Sequence, residues 1–107
     1  MNTILPTKLL AFVLSLMLPA VAAAQTSAFA PYYNKRGLAK EAKGDHDGAI
    51  ADYNRAIDLN PKYAGAYNNR GLAKQARGLA KQAKGDLDGA IADYNRALEL
   101  AAKLAKP

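Results

Sequence analysis

Between Tyr33 and Leu59 the apolar residues recur at three- and four-residue steps, which puts them on one side of an α-helix. Tyr33, Gly37, Leu38 and Ala42 form a first such stripe. Ala49, Ile50, Tyr53, Ala56 and Ile57 form a second, cleaner one. Gly44-Asp45 lies between them: the glycine suits the end of one helix and the aspartate can cap the next. Asn60-Pro61 then stops the second helix, because a residue before proline avoids helical angles. The pattern predicts helix, tight turn, helix and stop, an antiparallel hairpin.

The pattern is stated twice. YNKRGLAKEAKGDHDGAIADYNRAIDLNPKY, from Tyr33, is matched by YNNRGLAKQAR and GLAKQAKGDLDGAIADYNRALEL, from Tyr67. The offset is 34 residues from Tyr33 to Tyr67 and 41 from Tyr53 to Tyr94. The difference is a doubled heptad, GLAKQA spoken at Gly71 and again at Gly78. A period of this size signals a solenoid-type array whose units bury their faces against one another.

Seven residues are almost two helical turns, about 20° short of a whole number, so a helix absorbs the heptad with its apolar stripe nearly in phase. Leu72, Ala73, Ala76, Leu79, Ala80 and Ala83 share that predicted face, and Gly78 is the one breaker. The expectation is a continuous helix from about Gly65 to Lys84. The returning arm extends too: Ala101 to Lys106 replaces the Asn-Pro stop. The face Ala90, Ile91, Tyr94, Ala97, Leu98, Ala101 and Leu104 continues in phase, with Ala101 and Leu104 expected near the start of the partner helix. The tip of this longer hairpin reaches past the first, leaving Leu79, Ala83, Leu87 and Ile91 half-covered.

These residues carry a family resemblance. The chain resembles the tetratricopeptide repeat, a helix–turn–helix unit of 34 residues. Tyr33, Gly37, Gly44, Ala49, Tyr53, Ala56 and Pro61 carry the signature in the first unit. Tyr67, Gly71, Gly85, Ala90, Tyr94 and Ala97 carry it in the second. Arg36 and Arg70 depart from it where leucine is common, and Lys40 and Lys74 where an aromatic is common. The implied fold is all-α, a short solenoid of antiparallel hairpins with the second elongated. Its units are residues 30–63 and 64–107.

The amino-terminal stretch reads differently. Lys8 precedes the apolar run Leu9 to Ala23, and Ala22-Ala23-Ala24 follows. Positive, apolar and small-residue segments in that order predict a secretory signal over 1–24, cleaved after Ala24, with a short linker at 25–29. A membrane anchor is the rival, but the run is short for the ~20 residues of a span and Pro19 interrupts it. Export to a periplasmic or extracellular space follows, with no membrane association after cleavage. The remaining chain carries 14 Lys+Arg against 9 Asp+Glu, about +5. These cations are scattered through helical phrases, which favours a solvated face over a specific nucleic-acid site. With no cysteine, disulfides and thiol chemistry are excluded.

Reactive constellations are scarce. His46 stands between Asp45 and Asp47, but the second unit has Leu87 in its place, so the position does not require imidazole. Asp45 to Gly48 and Asp86 to Gly89 lack the further ligands of a calcium loop and read as helix-capping charge. Tyr32, Tyr33, Tyr53, Tyr63, Tyr67 and Tyr94 can stack nucleobases, but four of them fall at repeat core positions. No metal or cofactor site is expected, and no enzyme activity.

The resemblance implies protein–protein recognition, with extended peptides held along the first helix of each unit. It maps that surface to Asn34, Lys35, Leu38 and Glu41 and to Asn68, Asn69, Leu72 and Gln75, whose amides suit peptide backbones. Some relatives clamp a terminal carboxylate with lysine and asparagine, chemistry to which Lys35 and Asn69 are similar. A structural module that associates with itself through its second hairpin is the other reading, since two repeats fall short of the three or so that such arrays need. A basic surface acting on anionic polymers is a third.

Overall fold

The computed structural model describes residues 27–105. The predicted signal segment lies outside the described residues. Four helices follow one another: α1, Ala30–Ala42; α2, His46–Leu59; α3, Ala64–Lys81; and α4, Lys84–Ala105. They pair as hairpins α1–α2 and α3–α4, with α3 laid against the first hairpin.

The first hairpin turns where the sequence places the turn. Gly44 takes φ +80°, a left-handed conformation that glycine adopts without penalty. Asp45 Oδ1 accepts a bond from the Gly48 amide at 2.9 Å, capping α2. Asn60 leaves the helix in an extended conformation and closes α2 before Pro61. The two arms meet closely because Gly37 has no side chain: a Cβ there would lie 2.5 Å from the Tyr53 ring. Gly71 and Tyr94 repeat that contact in the second hairpin.

With Gly71 and Tyr94 held in register, the doubled heptad lengthens the hairpin at its tip. Helix α3 has 18 residues against 13 in α1, and α4 has 22 against 14 in α2. The helix runs unbroken through Gly78, but it ends at Lys81 instead of Lys84. The chain reverses at Gln82, in the left-handed region at φ 51°, and the Gln82 and Ala83 amides return to the Gly78 carbonyl. Gly85 and Asp86, aligned with the first turn by sequence, lie inside α4. The reason is geometric. A hairpin tip grows by lengthening both arms, so the insertion is shared between them. Asp86 is drawn onto the side of α3 by Arg77, and Gly78 leaves room for it, the Asp86 Cβ standing 3.0 Å from where a Cβ of residue 78 would be.

The buried faces also differ from the expected stripes. In α1 the buried residues are Ala30, Asn34 and Gly37, while Leu38 and Ala42 are exposed. Of the predicted α3 stripe only Ala73 is buried, accompanied by Ala66, Gly71 and Gly78. In α4 the buried set is Ala90, Asp93, Ala97 and Leu100; Ile91, Leu98, Ala101 and Leu104 are exposed. Two causes act: paired charges occupy the seam between the arms of each hairpin, and the α4 face of Ile91 and Leu98 has no covering hairpin among the described residues. Arg36 grips Asp52 with two bonds of 2.8 and 2.7 Å, and Lys40 adds a third contact at 3.1 Å. Arg70 and Lys74 hold Asp93 in the same way, at 2.8, 2.7 and 3.0 Å. Fork-on-carboxylate geometry makes these stronger than ordinary hydrogen bonds, and α3 turns toward α4 the face that forms them.

Candidate functional site

The two hairpins are near-copies, so each position has an internal control. On the first hairpin Ile50 and Ile57 are 7% and 9% exposed, and Tyr53 is fully buried. They are covered by the second hairpin: Ala73 packs with Ala49, Ile50 and Tyr53, while Ala66 joins Ala56 and Ile57, flanked by Tyr63. On the second hairpin the matching residues are Ile91 and Leu98, 58% and 69% exposed, and a half-buried Tyr94. The same apolar face is thus core in one unit and surface in the other, among the described residues.

That open face is grooved. A cleft of about 460 Å³ runs between Ala64, Gly65 and Asn68 of α3 and Tyr94, Ala97 and Leu98 of α4, with Ala101 at its end. A smaller one of about 270 Å³ lies toward the tip, bounded by Gln75, Leu79, Leu87 and Ile91. Ala64, Gly65 and Ala97 leave the cleft open because they carry little bulk, and its rim carries the exposed Leu98.

The predicted recognition residues divide between support and surface. Asn34 is buried, donating to the Tyr63 hydroxyl at 3.3 Å and accepting from Asn69 Nδ2 at 3.0 Å. These two amides tie α1 to α3. Glu41 Oε1 lies 2.7 Å from His46 Nδ1, so His46 serves as a structural partner. Gln75 accepts from the Tyr94 hydroxyl at 2.7 Å. Lys35, Leu38, Asn68, Leu72 and Gln75 are exposed; of these Asn68 lines the larger cleft and Gln75 the smaller one. Ile91, Tyr94, Ala97 and Leu98 complete that face; the sequence places all four on the apolar stripe of α4 and expects Ile91 to be half-covered, whereas Ile91 and Leu98 are both exposed. Their signal was the terminal position of the second repeat, which has no third unit after it in the described chain.

Electrostatics fix the scaffold. The Arg36 guanidinium holds the Asp52 carboxyl below the usual range. Burial pushes Asp93 upward, but Arg70 and Lys74 outweigh it and the carboxyl also ends low. Arg77 lowers Asp86 and, with Lys81, Asp47. Burial pushes the Tyr53 phenol up to about 12. Among the described residues no cluster of His, Cys, Asp and Glu has the makings of a metal site, and no helix is long and apolar enough to cross a membrane.

Two family models of the same repeat match this chain, one described as TPR repeat over residues 37–78 and one as tetratricopeptide repeat over 73–104. The chain is a tetratricopeptide repeat protein. The crystal structure of MamA superposes with a TM-score of 0.64 at 35% identity, covering 80% of this chain and 46% of that one. An uncharacterized protein of Methanocaldococcus jannaschii is 46% identical over 44 residues, 41% of this chain and 51% of the relative. Tetratricopeptide repeat protein 6 of Homo sapiens is 44% identical over 50 residues, 47% of this chain and 10% of that protein. The chain therefore spans about half the length of the archaeal relative and of MamA, and a tenth of the human one. Repeats of this family form protein–protein interaction modules as a rule, and the fold of this one is of that kind.

Proposed function

We propose that this tetratricopeptide repeat protein is an exported, non-enzymatic adaptor that receives a peptide or protein segment along the open face of its second hairpin. One observation carries the reading: the face of Ile91, Tyr94 and Leu98 is grooved and uncovered, while its equivalent on the first hairpin is buried by protein. An apolar cleft with a few polar groups on its rim suits a segment that buries side chains and bonds its backbone. Asn68 supplies such a group, since it is exposed and has no side-chain bond within the described residues. Leu72 and Gln75 continue the same edge toward the tip. Asn34, Lys35, Leu38, Glu41 and Asn69 contribute by support and by the adjoining surface of the first unit. Export rests on the order of charge, apolar run and small residues in 1–24.

Selection of peptides from a random display library tests the reading. Binders are expected, and the variants Asn68→Ala and Leu98→Arg are expected to lose them while remaining fully helical by circular dichroism. Binders that ignore both substitutions would place recognition elsewhere. Mass spectrometry of the protein from fractionated cells tests export, with a mature chain beginning at Gln25 expected outside the cytoplasm.

A further inference from the structure

The repeat itself shows what kind of surface fits the open face. We infer that the occupant is a second copy of this chain, docking head to tail so that its first hairpin covers the second hairpin of its neighbour. The inference rests on the reading of that face as an interaction surface and names its partner.

The internal interface is the template. Within one chain, the covering side is formed by Tyr63, Ala66, Asn69, Arg70 and Ala73. Thirty-four residues earlier stand Phe29, Tyr32, Lys35, Arg36 and Ala39, all exposed. The molecule thus presents a covering side at its head and a face to be covered at its tail, both free among the described residues. Both are apolar at their centres. Phe29 has the place of Tyr63, an aromatic seated on Ala56 and Ile57, and the 460 Å³ cleft lies over their equivalents, Ala97 and Leu98. The cleft also gives room for Tyr32, which is larger than Ala66.

The polar contacts carry over as well. Inside the chain Arg70 donates to Asn54 at 2.8 Å and Arg77 donates to Asp47 at 3.0 Å. Between copies the same places are held by Arg36 with Asn95 and by Lys43 with Asp88, each pair again complementary. The Asn69-to-Asn34 bond becomes Lys35 with Asn68, a donor again meeting an amide oxygen. An unrelated segment has no reason to match all three. Because the two surfaces differ, the contact is heterologous, and repeating it builds an open chain of copies instead of a closed pair.

Sedimentation velocity on the whole protein tests this. The wild type is expected to gain mass with concentration beyond a dimer. Phe29→Asp removes the head and Leu98→Arg the tail; both sites are exposed, and each variant is expected to sediment as a helical monomer. Mixed together, they retain one good head and one good tail and are expected to form a one-to-one complex that grows no further. A wild type that stays monomeric up to millimolar concentration overturns the inference, including when its own amino-terminal segment covers the face. So does an assembly that stops at a dimer, or a mixture of the two variants that does not pair. A monomeric wild type that still captures library peptides through Asn68 and Leu98 refutes only the choice of partner. If peptides also fail to bind, the reading beneath it fails too.

Discussion

The Tyr94 hydroxyl donates to Gln75 at 2.7 Å, but the equivalent Tyr53 hydroxyl is buried with no hydrogen-bond partner. The difference traces to two substitutions between the repeats. Glu41 replaces Gln75 and engages His46, which stands where the second repeat has Leu87. Tyr53 is left facing a carboxylate whose second oxygen, Oε2, is also buried and unpaired.

An unpartnered buried hydroxyl costs stability, so Tyr53→Phe is expected to be neutral or to stabilise by about 1 kcal/mol. Tyr94→Phe loses a bond and is expected to destabilise by roughly 0.5–1 kcal/mol. Urea denaturation of the two variants checks the opposite signs. Destabilisation by Tyr53→Phe comparable to that of Tyr94→Phe would show that the Tyr53 hydroxyl is satisfied in solution.

The same phenol sets an alkaline limit. Its folded pKa is pushed up to about 12, above the ordinary value of about 10. The unfolded chain therefore releases this proton first as pH rises. The corresponding stability is fully present below about pH 10 and is lost toward pH 12. A fall in melting temperature across that window is expected in the wild type, and a smaller fall in Tyr53→Phe.

Acid acts on the paired carboxylates in the opposite sense. Asp52, Asp86 and Asp93 titrate below the usual range when folded, so the unfolded chain takes up protons first as pH drops. Their stabilisation is present above about pH 4 and is lost as pH falls through the lower folded values. The double variant Asp52→Asn, Asp93→Asn should start less stable and then lose less between pH 4 and pH 2. Thermal melts across that range read the difference.

The relocated turn gives the sharpest test of the second hairpin. Gly85 lies within α4, with nothing within 4 Å of an added Cβ, so Gly85→Ala is expected to stabilise by about 0.5–1 kcal/mol. Gly44→Ala forces a Cβ into φ +80° and is expected to cost about 1 kcal/mol. Gln82→Gly relieves the left-handed residue and should stabilise by about 1 kcal/mol. If Gly85→Ala destabilises instead, the chain turns at Gly85 after all.

Hairpin count, helix type and the elongation of the second unit were legible in the sequence, because periodicity, Gly44-Asp45 and Asn60-Pro61 all point one way. The turn at Gln82 was not. The alignment pointed to Gly85, and only the three-dimensional requirement that both arms grow together, with Arg77 drawing in Asp86, overrides it. Faces were misread for a related reason. Arg36, Lys40, Arg70 and Lys74 looked like a polar departure from the family pattern, yet each pair answers the aspartate of an ADYN phrase on the opposite arm. Reading both repeats for charge partners across the hairpin would have found Asp52 and Asp93. Of the recognition residues, a one-dimensional repeat does not distinguish Asn34 from Asn68, since only packing decides which copy of a position is covered.

Arg77 reaches further than its own hairpin. While two of its nitrogens hold Asp86, the third meets Asp47 at the start of α2. The residue lies within the doubled heptad, at the place Lys43 holds in the first unit, and it straps the lengthened arm to the neighbouring hairpin. In a linear array, the stability of the whole depends on such nearest-neighbour couplings as much as on each unit. Between the two units among the described residues there is one such interface, so the melting of one hairpin is felt by the other. The contact at the start of α2 therefore ties the tip of the second hairpin to the first, beside the Asn69–Asn34 and Arg70–Asn54 bonds nearer its base.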